Sequence, residues 1–210
     1  MKDIIIVGAN GFGLELEEWI THINEVVPTW NILGFIDDNL NVLDSKPSDY
    51  KVLGTIADWQ PKENEYFVIG LAFPQTKKKI VEMLKARGAK FATIIHPTAL
   101  VSKFAEIGEG VVITQRSGLN ANAKVGDFVT ILESVVGHDA CVGDYSTLSG
   151  NVSVNGHVQV GSMVYAGCGS MIAPGKKIGD GAQIGIGSVV ISNVKVGTTV
   201  FGNPAKRVDL

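Results

Sequence analysis

The sequence predicts an α/β domain with a small Rossmann-like parallel sheet over residues 1–95, followed by an all-β domain, a parallel β-helix, over residues 96–210. Three observations carry this. The stretch GANGFG (8–13) stands between the apolar run IIIV and the helix-like LELEEWI. Glycine is unevenly spread, with 7 of the 25 in residues 1–95 and 18 in residues 96–210. The second part also carries an aliphatic residue every six positions over most of its length.

In the first part, GLELEEWITHIN predicts a helix with Leu14, Ile20 and Ile23 inward and glutamates outward. QTKKKIVEMLKARG predicts a second, with Ile80, Val81 and Leu84 inward and Gly88 as its stop. The TKKK run reads as a solvated helix face, with phosphate contacts as the alternative. Short apolar runs, IIIVG, ILGFIDD, KVLGT, YFVIGLA and FATIIH, lie between and beside the helices. Strands alternating with helices imply a parallel sheet. IIHPTA (94–99) reads as the joint to the second domain.

In the second part, Ile107, Ile113, Leu119, Val125 and Ile131 recur every six residues. The phase then slips by one to Val136 and continues through Val142, Leu148, Val154, Val160, Ala166, Ile172, Ile178, Ile184, Val190 and Val196. A period of six excludes an α-helix, whose faces repeat every 3.6 residues. It suits a short strand and a turn with one aliphatic side chain inward. Three such units close a triangular coil, and stacked coils bury one another. The sixteen positions make about five coils. A slip in a solenoid is expected to bulge its wall and re-aim side chains.

Composition narrows the function. The formal net charge is −3 and hydrophobic residues make up 45%. No basic face points to nucleic acid, and no apolar run is long enough to span a membrane. The start lacks signal-peptide features, so a cytoplasmic location is expected. Cys141 and Cys168 read as reduced and buried.

GANGFG differs from the dinucleotide fingerprint G-x-G-x-x-G, because Gly8, Gly11 and Gly13 give G-x-x-G-x-G. The principle is the same: a turn and a helix N-terminus present N–H groups to a phosphate. Asp37 and Asp38 follow near the end of the expected second strand. The domain is too small for two nucleotide halves, so a single nucleotide diphosphate suits it better than a dehydrogenase cofactor. Of the four histidines, His22 reads as a polar-face residue without a role, His96 as structural, and His157 as an exposed corner. His138 stands out because it follows the phase slip and is succeeded by Asp139, a carboxylate able to fix its tautomer.

The repeats VGDYST, IGDGAQ and IGIGSV, with the closing FGNPAKRV, resemble the left-handed β-helix acetyltransferases. Together with the opening IIIVGANGFG, the chain resembles the NeuD/PglD-like sugar O-/N-acyltransferase family. The resemblance implies a left-handed parallel β-helix, a homotrimer, acetyl-CoA as co-substrate, and a nucleotide-linked sugar held by the first domain. It implies His138 as general base, oriented by Asp139, and Gly156 at the thioester carbonyl. Gly161, Gly167 and Ala173 would line the groove for the pantetheine arm, with Lys206 at the phosphate end. Gly8, Asn10, Gly11, Phe12, Gly13, Asp37 and Asp38 would hold the nucleotide-sugar. Asn10 and Phe12 replace a serine and a histidine of the family pattern, and Phe12 suits an apolar substituent such as the methyl of a 6-deoxy sugar. Gly137 replaces a glutamate, and Thr147 stands where some relatives have a second histidine.

The expected reaction is acetylation of the 4-amino group of a nucleotide-linked 4-amino-4,6-dideoxy sugar; the alternative is O-acetylation of sialic acid or a related sugar. No metal site is expected. A β-helical carbonic anhydrase needs three histidines per zinc, and the repeats contain only His138 and His157. A non-catalytic scaffold is a further alternative, disfavoured by the His138–Asp139 pair.

Overall fold

The computed structural model describes residues 1–209, which form two compact units, 1–97 and 98–209. The division falls inside the 94–99 joint, two residues after the expected boundary.

The first unit runs β1 (Lys2–Val7), α1 (Gly11–Val26), β2 (Trp30–Ile36), β3 (Val52–Gly54), β4 (Glu65–Ile69), α2 (Pro74–Ala86) and β5 (Lys90–Phe91). Its sheet is parallel, in the order β3-β2-β1-β4-β5. Ile4 to Val7 of the central strand are fully buried, as a parallel strand covered on both faces requires. The strand order reverses across β1 and β4, the point at which open parallel sheets carry a ligand beyond the C-terminal ends of their strands, and GANGFG begins there.

The helix faces differ from expectation. α1 buries Leu16, Trp19 and Ile20 and leaves Leu14 and Ile23 half-buried. α2 buries Val81 and Leu84 but not Ile80. Lys77, from the supposedly solvated TKKK run, is only 1% exposed. Burial pushes its ammonium down from 10.5 to about 7, because a charge far from water loses its hydration. Lys78 keeps the expected surface role, pairing with Glu82 at 3.7 Å.

The second unit is a parallel β-helix of two-residue strands. Its first wall carries strands at Leu100–Val101, Gly118–Leu119, Val135–Val136, Ser153–Val154, Met171–Ile172 and Val189–Val190. The second wall runs from Glu106–Ile107 to Lys177–Ile178, and the third from Val112–Ile113 to Thr199–Phe201. Strands pair with those one coil on, as in Val135 with Ser153. The chain then closes with an antiparallel pairing of Thr199–Phe201 and Lys206–Arg207.

The interior is richer than one aliphatic per strand. The residue two places earlier also points inward, giving Val111 with Ile113, Val129 with Ile131 and Val158 with Val160. At Ser117, Ser134, Ser146 and Ser188 that position is serine, and the hydroxyl ties coils together. Ser134 Oγ donates to Ser149 O at 2.7 Å and accepts from Val152 N at 2.8 Å.

The phase slip does not bulge a wall. A tight corner with Glu133 at φ +44° absorbs the missing residue, and the strands on either side stay paired. At the other end the period breaks after Val190. Val196 is 72% exposed, and Val194 and Val200 turn inward instead. The cysteines are free, as expected, but not buried: Cys141 occupies an outward strand position and is half-buried, and Cys168 is exposed. Among the described residues, no helix is long and apolar enough to cross a membrane.

Candidate active site

His138 lies on the corner between the first and second walls, in the turn Gly137–Ala140 closed by Ala140 N donating to Gly137 O at 3.3 Å. The corners stack through main-chain bonds. Asp139 N donates to Ala121 O, His157 N to His138 O and Gly175 N to Gly156 O, each at 3.0 Å. Asn122, Asp139, His157 and Gly175 form a column at this edge, all with φ between +56° and +69°. Three of the four are polar side chains on a rigid frame.

The imidazole is held from one side and left open on the other. His138 Nδ1 lies 2.9 Å from Asp139 Oδ2, and Asn122 Nδ2 donates to Asp139 Oδ1 at 3.1 Å. These hydrogen bonds, from His138 first and Asn122 second, hold the Asp139 carboxyl below the usual carboxylate range. An ionised carboxylate at Nδ1 selects the tautomer that carries its proton there. Nε2 then keeps a lone pair and can accept a proton.

That nitrogen sits above Gly156, one coil on. A Cβ at position 156 would stand 2.6 Å from Nε2 and 2.7 Å from Cε1. Gly156 therefore makes room for the ring, a requirement of packing rather than of backbone angle. His157 is not an isolated corner residue: its ring meets that of His138 edge-on, with centroids 5.0 Å apart.

The other residues expected around acetyl-CoA are not gathered in one place on the chain. Ala173 lies one coil below Asn155, at the His138 edge. Gly161 lies at the next corner, where the Asp180 carboxylate fills the space a side chain would need. It lines an open groove of about 750 Å³ with Cys141, Gln159, Lys177 and Lys195. Gly167 lies at the third corner, in a groove of about 570 Å³ with Cys168, Gln183, Ile186 and Phe201. Lys206 is exposed and paired in register with Phe201 of that groove.

In the first unit the glycine-rich turn is assembled as a turn for close approach. Gly8 has φ +93°, and Gly13 packs so tightly on Gly8 O that no side chain fits. Gly11 has open space around it, so the fold itself does not demand glycine there. Asp37 Oδ2 accepts from Ala9 N and Oδ1 from Asn39 N, both at 2.9 Å. Asp38 Oδ1 accepts from Ala57 N at 3.1 Å. Both carboxylates thus brace loops at the crevice. Phe12 packs edge-on against Trp19, with centroids 5.9 Å apart. Lys46, not singled out in the sequence, donates to Asn10 Oδ1 at 2.6 Å and brings a cation to the turn.

His22 is not idle either. Its Nδ1 lies 3.1 Å from Nε2 of buried His96. Burial, then the His22 charge, pushes His96 below the ordinary histidine value.

Residues 3–84 match the family described as PglD N-terminal domain. A GDP-perosamine N-acetyltransferase of Escherichia coli O157:H7 is 31% identical over 147 residues, which is 69% of this chain and 66% of that relative. The chain belongs to the NeuD/PglD-like family. A UDP-N-acetylbacillosamine N-acetyltransferase of Bacillus subtilis (strain 168) is 30% identical over 117 residues, 54% of this chain and 51% of its own length. Both matches thus span less than two thirds of the relative. The acetyltransferase domain of PglB from Neisseria gonorrhoeae FA1090, in complex with acetyl coenzyme A, superposes with a TM-score of 0.89 at 26% identity, over 99% of both chains. PerB from Caulobacter crescentus, in complex with CoA and GDP-perosamine, shares the fold, with a TM-score of 0.86 at 24% identity over 100% of this chain and 98% of that one. Family membership puts the His138 corner on a fold that takes acetyl coenzyme A in the Neisseria domain.

Proposed function

We propose that this protein transfers the acetyl group of acetyl-CoA to the 4-amino group of a nucleotide-linked 4-amino-4,6-dideoxy sugar. The observation that carries the reading is the His138 ring, braced by Asp139 and resting on Gly156. The amine nitrogen attacks the thioester carbonyl and loses a proton to His138 Nε2. The N–H of Gly156 is the donor for the tetrahedral oxyanion. Collapse of that intermediate forms the amide and releases CoA as its thiolate, which recovers the proton. Asp139 holds the ring and stabilises the imidazolium that forms in between. The names of the relatives support N-acetylation of a nucleotide-linked sugar.

The nucleotide binds at the Gly8–Gly13 turn, with Asn10, Phe12, Asp37 and Asp38 around it and the Lys46 cation beside the phosphates. Open space at Gly11 suits a phosphate approaching the main chain. The acetyl-CoA arm lies along the β-helix groove between neighbouring protomers, so that Gly161, Gly167 and Ala173, at three different corners of one chain, line it from more than one protomer, with Lys206 at the phosphate end. The protein acts as a cytoplasmic homotrimer in surface-glycan synthesis. Outward Leu100, Val135 and Met171 on the first wall give that assembly an apolar surface, Leu100 being 80% exposed.

The test is thiol release from acetyl-CoA with GDP-, UDP- and dTDP-linked 4-amino sugars, run on wild type and His138→Ala, with sialic acid as the hydroxyl control. Turnover with an amino sugar that falls on the order of 10²-fold or more in the variant is expected. Turnover with sialic acid alone would replace the reading by O-acetylation. Undiminished turnover in His138→Ala would remove the base. Light scattering gives the mass of three chains if the assembly is as proposed.

A further inference from the structure

Beside the proton-accepting role of His138, one feature of the same edge is unused: a second imidazole converging on the His138–Asp139 pair. His138, Asp139 and His157 each offer one donor atom, and these three atoms lie within 4.8 Å of one another. They come from two successive coils locked together by His157 N on His138 O at 3.0 Å.

We propose that His138, Asp139 and His157 form a binding site for one divalent transition cation, and that its occupancy excludes the proton-accepting role of His138. The chemistry of the donors sets the class of ion. Two imidazole nitrogens and one carboxylate oxygen suit zinc, cobalt, nickel or copper, whereas magnesium and calcium prefer all-oxygen sites. Geometry allows it. Tetrahedral coordination at bonds of about 2.0–2.1 Å needs donors roughly 3.3 Å apart. His138 Nδ1 and Asp139 Oδ2 already stand 2.9 Å apart, near one edge of that figure, and an ion there displaces the proton that Nδ1 shares with the carboxylate. All three side chains are exposed, so small ring rotations bring the third donor in without moving the buried coil. Three protein ligands leave coordination positions open to water, the arrangement of an accessible rather than a closed site.

The consequence for the reaction is exclusion. A cation on Nδ1 leaves the ring proton on Nε2, which then has no lone pair to accept another, and a cation on Nε2 takes that lone pair directly. Only this second consequence rests on the acetyl-transfer reading; cation binding stands without it.

The same corner supplies the test variant. Position 175 is the counterpart of 157 one coil on, and it is glycine at φ +69°, so His157→Gly removes the ligand in a backbone already compatible with it. Chelator-treated protein is titrated with Co²⁺, followed by its visible absorption, and then with Zn²⁺ in competition. Wild type should bind one Co²⁺ per chain, displaced by Zn²⁺, and His157→Gly should bind about tenfold or more weakly. His157→Gln, checked for the wild-type melting transition, repeats the comparison if the glycine variant folds poorly. Equal Co²⁺ affinity in wild type and both variants, or no saturable binding to wild type, would overturn the proposal. In the activity arm, Zn²⁺ should inhibit wild-type thiol release reversibly by chelator, and inhibit His157→Gly only at about tenfold or more higher free Zn²⁺. If no acceptor sugar supports turnover, the acetyl-transfer reading fails while the Co²⁺ titration still decides the site.

Discussion

Gly156→Ala asks whether the space under His138 is part of the catalytic device. The backbone at 156 lies outside the left-handed region, so alanine costs it nothing in conformation. The added methyl is the whole perturbation. It would stand 2.6 Å from Nε2, whereas a methyl and a ring atom in contact need about 3.5 Å. The ring must retreat by roughly 1 Å, and displacements of that size cost on the order of 10²-fold in rate, or about 2.7 kcal/mol of barrier. Thiol release under saturating acetyl-CoA and acceptor should show the loss in kcat. Thermal unfolding should stay near wild type, because the ring is exposed and can move without opening a cavity. Gly118→Ala is the control, since its Cβ meets nothing closer than 3.6 Å and its rate should be unchanged. A Gly156→Ala enzyme within about threefold of wild type in kcat would refute the argument that His138 works from its position over Gly156.

Two further predictions concern stability. Lys77 takes up a proton near 10.5 when unfolded but only at about 7 in the fold, so between those values the unfolded chain binds more protons. Stability therefore rises with pH across that window and is flat in this group below it. The unfolding free energy of wild type relative to Lys77→Met should increase by a few kcal/mol from pH 7 to pH 10 in urea titrations, and a constant difference would be the failure. Leu148→Ala removes a fully buried side chain from the solenoid interior, stacked between Ile131 and Ala166. Because Ala166 cannot fill the gap, the loss should reach roughly 3–5 kcal/mol by denaturant unfolding, and a loss under about 1 kcal/mol would show that the coils collapse onto the space.

How much of the site the sequence could reveal depended on how each residue meets its partners. His138 and Asp139 are neighbours in the chain, so their pairing was legible at once. Gly156 was legible only through the family resemblance, although the coil length contains it: 156 is 138 plus one coil of 18 residues. The same arithmetic brings His157 to the ring, and spacing read as coils rather than as distance along the chain would have found it. Lys46 meets Asn10 from the turns that follow β2, 36 residues on and beyond α1 and β2, and no pattern in the sequence encodes that contact.

By itself the sequence determined the β-helix, because a six-residue period with glycine corners has few other ways to bury its aliphatics. It also determined the parallel α/β unit, from apolar runs alternating with amphipathic helices, and the glycine-rich turn between its first strand and helix. Tertiary structure alone decided which polar groups leave water. Lys77 lies in a run of three lysines, and the set of the helix on its sheet, not composition, buries that one. It alone decided the pairing of His22 with His96, and the turn inward at Val194 and Val200 in place of Val196. The reason is common to all three. Periodicity states which face of a local element is apolar, whereas burial and hydrogen bonding depend on what another element brings to that face.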